Sequence, residues 1–338
     1  MPSAVISGTG SHLPPRVVTN QDLVDVYGID TSHDWIVQRT GIEERRFAEE
    51  GIGPADLAVP AALEAIERAK LVPRDIGMII FATLSPEFAF PGSGVFLQDK
   101  LGLHGVPAMD VRNQCTGFLY SLATAASMVK CGSVKHVLVV GAEVHSAALD
   151  LTTQGRAVST LFGDAAGAVV VSASDDPERG ILHWILGADG SHAEDLAQRI
   201  WDTRKRPFIP LDADGNGIVR PELMWAQMDG RQVFKHAVEK MCLTLAGLCW
   251  DQKINLDDLD HVFFHQANLR INQVVQSQLG LPDAKVPSTI HKYGNTTAAT
   301  LPVLLSETDR AGQLAPGKLS ALVAFGSGFT WGGALVRW

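Results

Sequence analysis

Short apolar runs of strand length alternate along the chain with stretches in which apolar residues recur at helical spacing. Two of the runs, 137–141 and 321–326, are continuous and end in glycine. Runs of this kind are typical of strands buried on both faces of a sheet. The amphipathic stretches 118–129 and 299–310 are predicted to form helices. Alternating strands and helices indicate an α/β fold in which helices cover the sheets.

The same pattern occurs twice along the chain. Segments 70–81 and 253–264 share one plan, in which a helix end and a polar turn precede a short apolar strand. A helix that ends in Leu-Gly-Leu is predicted after each segment, at 101–103 and at 279–281. Because internal similarity of this kind indicates a duplicated unit, we predict two fused α/β halves.

The two predicted halves are residues 1–172 and 173–338. Their junction is expected near 172–180, where Ser, Asp, Pro and Gly cluster after a strand-like run. The segment from about 186 to 228 interrupts the pattern of the second half and contains the charged run 204–206. Long excursions on a rigid scaffold often shape binding sites, and a solvated surface insertion is the alternative interpretation.

Composition and charge exclude several classes of protein. The 338 residues are 46% hydrophobic and 19% charged, which indicates a globular rather than a disordered chain. The net charge of -9 has the wrong sign for coating nucleic acid or an anionic membrane. Neither an export leader nor a run of about 18 apolar residues is visible, so no membrane span is expected. The four cysteines form no CxxC pair and no Cys/His cluster, which favours a reducing cytoplasm without structural zinc.

Two further motifs suggest ligands, and both are incomplete. Residues 212–217 copy the first half of a calcium-binding loop, but the twelfth position is Leu223, where the loop needs a bidentate glutamate. The GxG of residues 8–10 lacks the third glycine and the acidic partner of a dinucleotide site. We therefore expect no metal site and no nucleotide cofactor.

Cys115 is the first candidate for chemistry. It follows the strand-like run 108–111 and directly precedes an apolar helix that starts near Phe118. A cysteine at a helix N-terminus lies where the helix dipole and unpaired N–H groups favour the thiolate. The position predicts a nucleophile, with an inert buried cysteine as the alternative.

The duplication suggests partners for this thiol. With an offset of about 180 between the halves, Cys115 lies opposite Asn295, which also occupies a turn before a helix. His265 follows the apolar run 262–264 at a strand end. If the halves pack with pseudo-twofold symmetry, a thiol, an imidazole and a carboxamide meet at the centre. This set combines a nucleophile with two hydrogen-bond donors.

Seven segments of the chain, in order and at compatible spacing, are similar to one family. The chain resembles the thiolase-fold condensing enzymes of the 3-oxoacyl-(acyl-carrier-protein) synthase III family. The resemblance implies a thiolase-like fold with a five-layer αβαβα arrangement. The segments that carry it are 8–14, 34–42, 114–117, 162–168, 265–271, 294–296 and 325–332.

The resemblance implies a Cys-His-Asn triad. Cys115 would take an acyl group from a thioester, and His265 with Asn295 would hold the thioester carbonyl of a malonyl extender as its carboxylate leaves. The resulting carbanion would attack acyl-Cys115. Backbone N–H groups of Cys115 and Ser327 would form the oxyanion hole. Ser327 replaces the middle glycine of the family loop, so a positive φ at this position would be harder to adopt.

The resemblance also implies a coenzyme A site and a dimer. Trp35 and Arg39 would sandwich the adenine, with a partly buried Trp beside a surface Arg as the alternative. Phe90 would cross a homodimer interface and close the partner's acyl pocket, with core packing as the rival explanation. Asn268 would contact the pantetheine arm, and Arg270 or the run 204–206 would meet phosphates or an acidic carrier protein. The remaining residues expected to contact substrate or coenzyme A are Thr31, Arg156, Gly230 and Phe234.

The leading hypothesis is a cytoplasmic homodimer that condenses an acyl-CoA primer with a malonyl thioester, held on coenzyme A or an acyl carrier protein, without a cofactor. Acyl or malonyl transfer onto a hydroxyl or amine without decarboxylation is an alternative that uses the same cysteine. A non-catalytic partner subunit is a third, although such partners usually lose the nucleophile. The stretches 112–115 and 186–190 favour a branch in secondary metabolism over housekeeping fatty-acid initiation.

Overall fold

Two large sheets, each covered by helices, make up most of the protein. The structure is a computed structural model that describes residues 2–200, 202–219 and 221–338. The strands are β1 Ser3–His12, β2 Val17–Thr19, β3 Glu44–Arg46, β4 Met78–Ala82, β5 Ala108–Val111, β6 His136–Glu143, β7 Ala165–Ser174, β8 Gly180–Ala188, β9 Leu196–Ala197, β10 Gln227–Met228, β11 His261–Phe264, β12 Leu319–Gly326 and β13 Thr330–Arg337. The helices are α1 Asn20–Asp25, α2 His33–Thr40, α3 Pro54–Arg68, α4 Ser93–Lys100, α5 Gly117–Lys130, α6 Arg156–Ser159, α7 Pro221–Met224, α8 Gly230–Gln252, α9 Leu269–Leu279, α10 Ile290–Tyr293 and α11 Thr300–Arg310.

The two large sheets repeat one topology. The first has the order β1-β7-β6-β4-β5 and the second the order β8-β13-β12-β11. In both sheets, the first strand is antiparallel to the second and the second is antiparallel to the third, whereas the third is parallel to the fourth. Each strand of the second sheet therefore has a counterpart in the first, as the duplicated sequence pattern predicts.

Backbone conformation follows the same repeat. The non-glycine residues with positive φ in the described part of the chain form two pairs. Lys70 and Lys253, with φ of 58° and 55°, stand 183 positions apart, and so do Gln114 and Thr297, with φ of 45° and 47°. The structural offset is thus 183 rather than about 180. Cys115 is equivalent to Ala298, and its predicted alignment with Asn295 is wrong.

The layers alternate helix and sheet. Helix α5 packs on β1, β4, β6 and β7 of the first sheet and on β8 and β13 of the second, and α11 also contacts both sheets. Helices α3 and α4 cover the outer face of the first sheet. Helix α8 covers the outer face of the second sheet, and α9 packs against α8. The result is the five-layer αβαβα arrangement.

Strand β6 shows why the long apolar runs are strands buried on both faces. Val137 and Val139 pack into the central core between the sheets, together with Phe118 of α5. Leu138 and Val140 point to the opposite face and pack into the outer core beneath α3. Because side chains alternate along a strand, a continuous apolar run fills both cores.

The predicted junction near 172–180 spans the end of β7, the following turn and the start of β8. Strand β7 runs to Ser174 and β8 begins at Gly180, so the predicted boundary after residue 172 falls inside β7. The excursion between β8 and α8 is closed by pairing of β9 with β10. The calcium-like loop is a turn within it, where Asp212 Oδ1 accepts hydrogen bonds from the N–H groups of Asp214 and Asn216.

No cluster of three or more His, Cys, Asp or Glu able to hold a metal occurs within the described ranges. Among the helices of those ranges, none combines the length and the apolar character needed to cross a membrane.

Candidate active site

Cys115 lies where the two halves meet. It occupies a one-turn 3₁₀ helix at 114–116 that leads directly into α5, and this turn contacts its counterpart at 297–299. Gly326, at the end of β12, approaches it so closely that a Cβ at position 326 would lie 2.9 Å from the Cβ of Cys115. Since real Cβ contacts are longer, only glycine allows this approach at position 326.

His265 follows the end of β11 as predicted. Its backbone N–H donates to the carbonyl of Val323 at 2.9 Å, which continues the pairing of β11 with β12. The side chain is 2% exposed, and both ring nitrogens lack hydrogen-bond partners among the described residues. Burial lowers the pKa of His265 to about 3. The imidazole is therefore neutral at pH 7 and carries one N–H available to a substrate.

Asn295 is held by its own backbone. Its N–H donates to the carbonyl of Leu161 at 2.8 Å, and its carbonyl accepts from the N–H of Gly163 at 3.1 Å. The side-chain Oδ1 accepts from the N–H of Thr297 at 2.9 Å. Because the oxygen of the carboxamide is engaged, its NH₂ group is the part left for a substrate.

One cavity of about 140 Å³ brings these three residues together. Cys115, His265 and Asn295 all line it, as do Gly230, Phe234 and Asn268 from the set expected to contact substrate. Most of the remaining lining is apolar, and it consists of Leu161, Phe162, Leu196, Met228, Val233, Ala237, Met241, Ala267, Ile271 and Phe325. Few water molecules can enter such a space, so hydrogen bonds formed inside it are strong.

A second cavity, of about 410 Å³, adjoins Cys115. It is lined by Leu84, Arg112, Gln114 and Ser327, together with residues of the excursion such as Leu196. Cys115, Phe162 and Leu196 line both cavities, so the two spaces meet at these residues.

The thiol of Cys115 is not preionised. Burial, followed by the nearby charge of Glu143, raises its pKa to about 12. Hydrogen bonds from the backbone N–H groups of Cys115 and Ser327 and from the Thr297 side chain act in the opposite direction and do not compensate. Burial thus acts against the thiolate that the helix N-terminus was expected to favour, and desolvation outweighs the hydrogen bonds to the sulfur.

The backbone N–H of Ser327 faces the Cys115 sulfur. Ser327 replaces a glycine of the family loop, but its φ is not positive, so the replacement causes no strain there. Of the described residues in this loop, Gly328 carries the positive φ, at 136°. The side chain of Ser327 turns away and donates to the carbonyl of Leu196 at 2.6 Å. Two backbone N–H groups, those of Cys115 and Ser327, thus converge on the sulfur.

Sequence reasoning missed Glu143. It ends β6, is fully buried, and accepts hydrogen bonds from the backbone N–H groups of Leu84 and Ser85 and from the hydroxyls of Thr83 and Ser85. Burial raises the pKa of its carboxyl to about 7. The sequence signal that could have identified Glu143 is a carboxylate at the end of an apolar strand run.

The pair Trp35 and Arg39 lies on α2 at the surface. The guanidinium of Arg39 stacks directly on the indole of Trp35, 4.2 Å from the ring centroid. A base between two planes needs them about 7 Å apart, twice a van der Waals contact. At 4.2 Å, the predicted space for an adenine between Trp35 and Arg39 is too narrow in this structure. Arg156 also lies against Trp35, at 5.4 Å, and donates to the carbonyl of Asp30 at 2.6 Å, next to Thr31.

Asn268 has a structural role in this state. It caps α9, where its Oδ1 accepts from the N–H of Arg270 at 2.9 Å, and its Nδ2 donates to the carbonyl of Arg39 at 3.0 Å. Arg270 is exposed and borders a cleft that it shares with Phe234. In the charged run, Arg204 is already paired with Asp202 at 2.7 Å.

Phe90 is 85% exposed, and its neighbour Phe88 is 60% exposed. The rival explanation of Phe90, packing in the core of its own chain, is therefore wrong. Two exposed phenylalanines in one loop form an apolar patch on the surface.

Comparison with known proteins gives a consistent result over the whole chain. The family model described as 3-oxoacyl-[acyl-carrier-protein (ACP)] synthase III matches residues 109–190, and the model of that family's C-terminal part matches 249–338. A curated beta-ketoacyl-[acyl-carrier-protein] synthase III from Rhizorhabdus wittichii is 42% identical over 338 residues, which are all of both chains.

Solved structures are similar over the same extent. A 3-oxoacyl-[acyl-carrier-protein] synthase III from Aquifex aeolicus is 38% identical with a TM-score of 0.88, covering 99% of this chain and 100% of that one. The priming beta-ketosynthase from the R1128 polyketide biosynthetic pathway is 31% identical with a TM-score of 0.88, covering 99% and 96%.

Proposed function

Because this chain belongs to the 3-oxoacyl-[acyl-carrier-protein] synthase III family, we propose that it condenses an acyl-CoA primer with a malonyl thioester and releases carbon dioxide. The observation that carries this proposal is the convergence of Cys115, His265 and Asn295 on one apolar cavity. Transfer without decarboxylation is not favoured, since the relatives are condensing enzymes by name.

The first half-reaction loads the primer. The sulfur of Cys115 attacks the thioester carbonyl of the acyl-CoA, and negative charge develops on the carbonyl oxygen. In this proposal the backbone N–H groups of Cys115 and Ser327, both of which face the Cys115 sulfur, donate to that oxygen and stabilise its charge. Collapse of the intermediate expels the coenzyme A thiol and leaves acyl-Cys115.

The second half-reaction forms the carbon–carbon bond. His265 and Asn295 donate hydrogen bonds to the thioester carbonyl of the malonyl group. As the carboxylate leaves as carbon dioxide, an enolate forms on that oxygen, and two fixed donors in a dry cavity stabilise the enolate more than the ground state. The enolate carbon attacks the carbonyl of acyl-Cys115, and collapse of the intermediate releases the 3-oxoacyl thioester. The sulfur leaves as a thiolate and takes up one proton from water, which restores the thiol. The burial that holds His265 neutral supports its role as a donor.

Neither half-reaction requires a metal or redox cofactor in this proposal, because the thioester carbonyl accepts the developing charge. The nucleotide of coenzyme A binds at the surface cluster of Trp35, Arg39, Arg156 and Thr31. Binding requires either that Arg39 moves away from the indole of Trp35 or that the base stacks between Trp35 and Arg156. The pantetheine arm passes Gly230, Phe234 and Asn268 toward Cys115. Exposed Arg270 suits an acidic carrier protein.

We further propose a homodimer in which the loop of Phe88 and Phe90 packs against a second copy. The exposure of both rings supports this arrangement. Phe90 of one copy would close the 410 Å³ cavity of the other, where the acyl chain of the primer would lie.

Intact-protein mass spectrometry tests the proposal directly. Incubation with a panel of acyl-CoAs of increasing length should give one adduct per chain, absent from the Cys115→Ala variant. Malonyl thioester labelled at the free carboxylate should then lose its label as carbon dioxide when product forms. Product that retains the label would establish transfer in place of condensation, and an adduct that persists in Cys115→Ala would remove the assigned nucleophile.

A further inference from the structure

The cavity of about 410 Å³ beside Cys115 contains a positive charge. Among the described residues that line this cavity, Arg112 alone carries a full charge. Arg112 follows β5 directly and precedes Cys115 by three positions. A volume of this size is typical of a small-molecule site, so a substrate group can fill the space that Arg112 borders. Apart from Cys115, the rest of the wall consists of apolar residues and four polar ones, Gln114, Gln198, Thr297 and Ser327.

The guanidinium of Arg112 has no partner of its own. Its side chain forms neither an ion pair nor a hydrogen bond with a residue of the described ranges. Asp110 is the nearest carboxylate along the chain, and its oxygens are engaged elsewhere. They accept from the N–H groups of Ser93 at 2.6 Å and Gly94 at 2.8 Å. Arg112 is exposed and permanently charged, so it is free to turn toward an anion in the cavity.

A second unengaged group lies between Arg112 and the nucleophile. The side chain of Gln114 is half-buried and makes no hydrogen bond with any residue that the structure describes. The other three polar side chains of the wall each have a hydrogen-bond partner, and these are Gln198, Thr297 and Ser327. A guanidinium and a carboxamide are thus the polar groups of this wall that a ligand can engage without breaking a bond within the chain.

This pair of groups favours a carboxylate over an alkyl chain. The guanidinium fork matches the two oxygens of a carboxylate, and such charge-assisted hydrogen bonds are among the strongest in proteins. A plain alkyl chain offers no acceptor and would displace water from both groups, which is unfavourable. A site built to hydrogen-bond a substrate group rejects analogues that lack the group.

We propose that the 410 Å³ cavity takes an acyl primer that carries a carboxylate at its far end, and that Arg112 and Gln114 bind this carboxylate. The inference rests on the proposed acylation of Cys115 and names the class of primer. Three residues span at most about 11 Å between Cα atoms, so Arg112 lies close to the nucleophile. A carboxylate only a few carbons from the thioester carbonyl can therefore reach the guanidinium. No bond of that carboxylate forms or breaks in the reaction.

The malonyl carboxylate of the extender is the other anion in the proposed reaction. The thioester carbonyl of the extender is assigned to His265 and Asn295, and Arg112 is not among the described residues that line their cavity. Pairing with Arg112 would also stabilise the carboxylate that has to leave as carbon dioxide, which would slow decarboxylation. The charge is therefore assigned to the primer.

Primers matched in carbon number measure this selectivity. Succinyl-, glutaryl- and adipyl-CoA are compared with butyryl-, pentanoyl- and hexanoyl-CoA, and the second-order rate constant for adduct formation on Cys115 is obtained by rapid quench and intact mass. Wild type should load at least one carboxyacyl group about 10-fold faster than its matched alkyl primer, the effect of one hydrogen bond to a charged group. Arg112→Met keeps the length of the side chain without its charge, and should lower this ratio by about 10-fold.

Further variants separate charge from position. Arg112→Lys keeps a charge without the fork and should retain part of the preference. Arg112→Glu should reverse the preference, so that β-alanyl-CoA, which ends in an ammonium group, loads faster than glutaryl-CoA. Arg74→Met is the matched control, because Arg74 is an exposed arginine of the turn Pro73–Asp75 that does not line the cavity. It should keep the wild-type ratio.

Equal rates for matched primers in the wild type would overturn the inference and leave the acylation of Cys115 intact. A preference that persists in Arg112→Met would overturn it too. An unchanged loading ratio with slower decarboxylation in Arg112→Met would assign Arg112 to the extender instead. If that variant does not fold, the wild-type comparison still decides. Failure of the proposed function looks different, because no primer of either series would then form an adduct on Cys115, and the inference would fall with it.

Discussion

Gly326 and Cys115 belong to different halves of the duplicated fold, and no room for a side chain is left between them. A Cβ at position 326 would lie 2.9 Å from the Cβ and 3.2 Å from the backbone nitrogen of Cys115. The N–H of Cys115 is one of the two donors that converge on the reacting centre. The absence of one methyl group therefore sets the distance between the nucleophile and the second sheet.

Gly326→Ala should displace Cys115 by several tenths of an ångström, because the contacted atoms are backbone or directly attached to it and cannot rotate away. We expect the loading rate to fall by about 10-fold or more, since small misplacements of reacting groups are costly. Gly190→Ala is the matched control, because nothing lies within 4 Å of a Cβ there. Unchanged loading by Gly326→Ala would show that the nucleophile tolerates this shift.

His265→Ala and Asn295→Ala should affect the two half-reactions unequally. Each removes a donor to the enolate oxygen, which typically costs about 10²–10³ in rate. Release of labelled carbon dioxide should fall by that factor, while loading of Cys115 by acyl-CoA changes much less. His261→Ala, at the other end of β11, is the control. Loss of loading without loss of decarboxylation would reverse the assigned roles.

The thiol of Cys115 should remain protonated across the physiological range. With a pKa raised to about 12 by burial, the thiolate fraction increases about tenfold per pH unit but stays small below about pH 10. The difference in ultraviolet thiolate absorbance between wild type and Cys115→Ala should therefore be flat up to that pH. A titration step between pH 6 and 9 in this difference would contradict the buried environment.

Exposed Cys131 provides the internal comparison for that titration. Its hydrogen bond to Ser133 lowers the pKa of its thiol. A thiolate signal should appear for Cys131 at lower pH than for Cys115, and Cys131→Ser should remove it.

Trp35→Ala should weaken recognition of the nucleotide and leave the chemistry intact. We expect KM for acyl-CoA to increase by about 10-fold, the loss of roughly one stacking contact, with little change in kcat. A short N-acetylcysteamine thioester lacks the nucleotide and should be used equally well by wild type and variant. Arg156→Ala should behave likewise, whereas Arg74→Ala, a surface arginine in another turn, should not.

Phe90→Asp should disrupt self-association. An exposed aromatic ring that becomes buried between copies contributes to binding, and a carboxylate in its place would be left unpaired in an apolar contact. Sedimentation analysis should show dimers for wild type and monomers for the variant. Trp250→Asp alters another exposed aromatic, 83% exposed on α8, and should leave the dimer intact. A dimeric Phe90→Asp protein would place the interface elsewhere.

Local patterning was enough to predict the elements of the fold. The predicted helices 118–129 and 299–310 correspond closely to α5 and α11, and the apolar runs at 137 and 321 became β6 and β12. The duplication was visible because equivalent elements bury the same pattern of side chains. The resemblance of short motifs to a known family was enough to assign Cys115, His265 and Asn295 to one site.

What the sequence determined by itself is thus the series of strands and helices, their repetition and the identity of the candidate reacting groups, because periodicity and motifs depend on neighbours along the chain. The tertiary structure alone decided that burial raises the pKa of the Cys115 thiol, that Arg39 stacks on Trp35, that Phe90 faces outward, and that His145 hydrogen-bonds Thr297. His145 and Thr297 are 152 positions apart in the chain. Burial and hydrogen bonding of this kind arise only when distant segments pack together, so no local pattern encodes them.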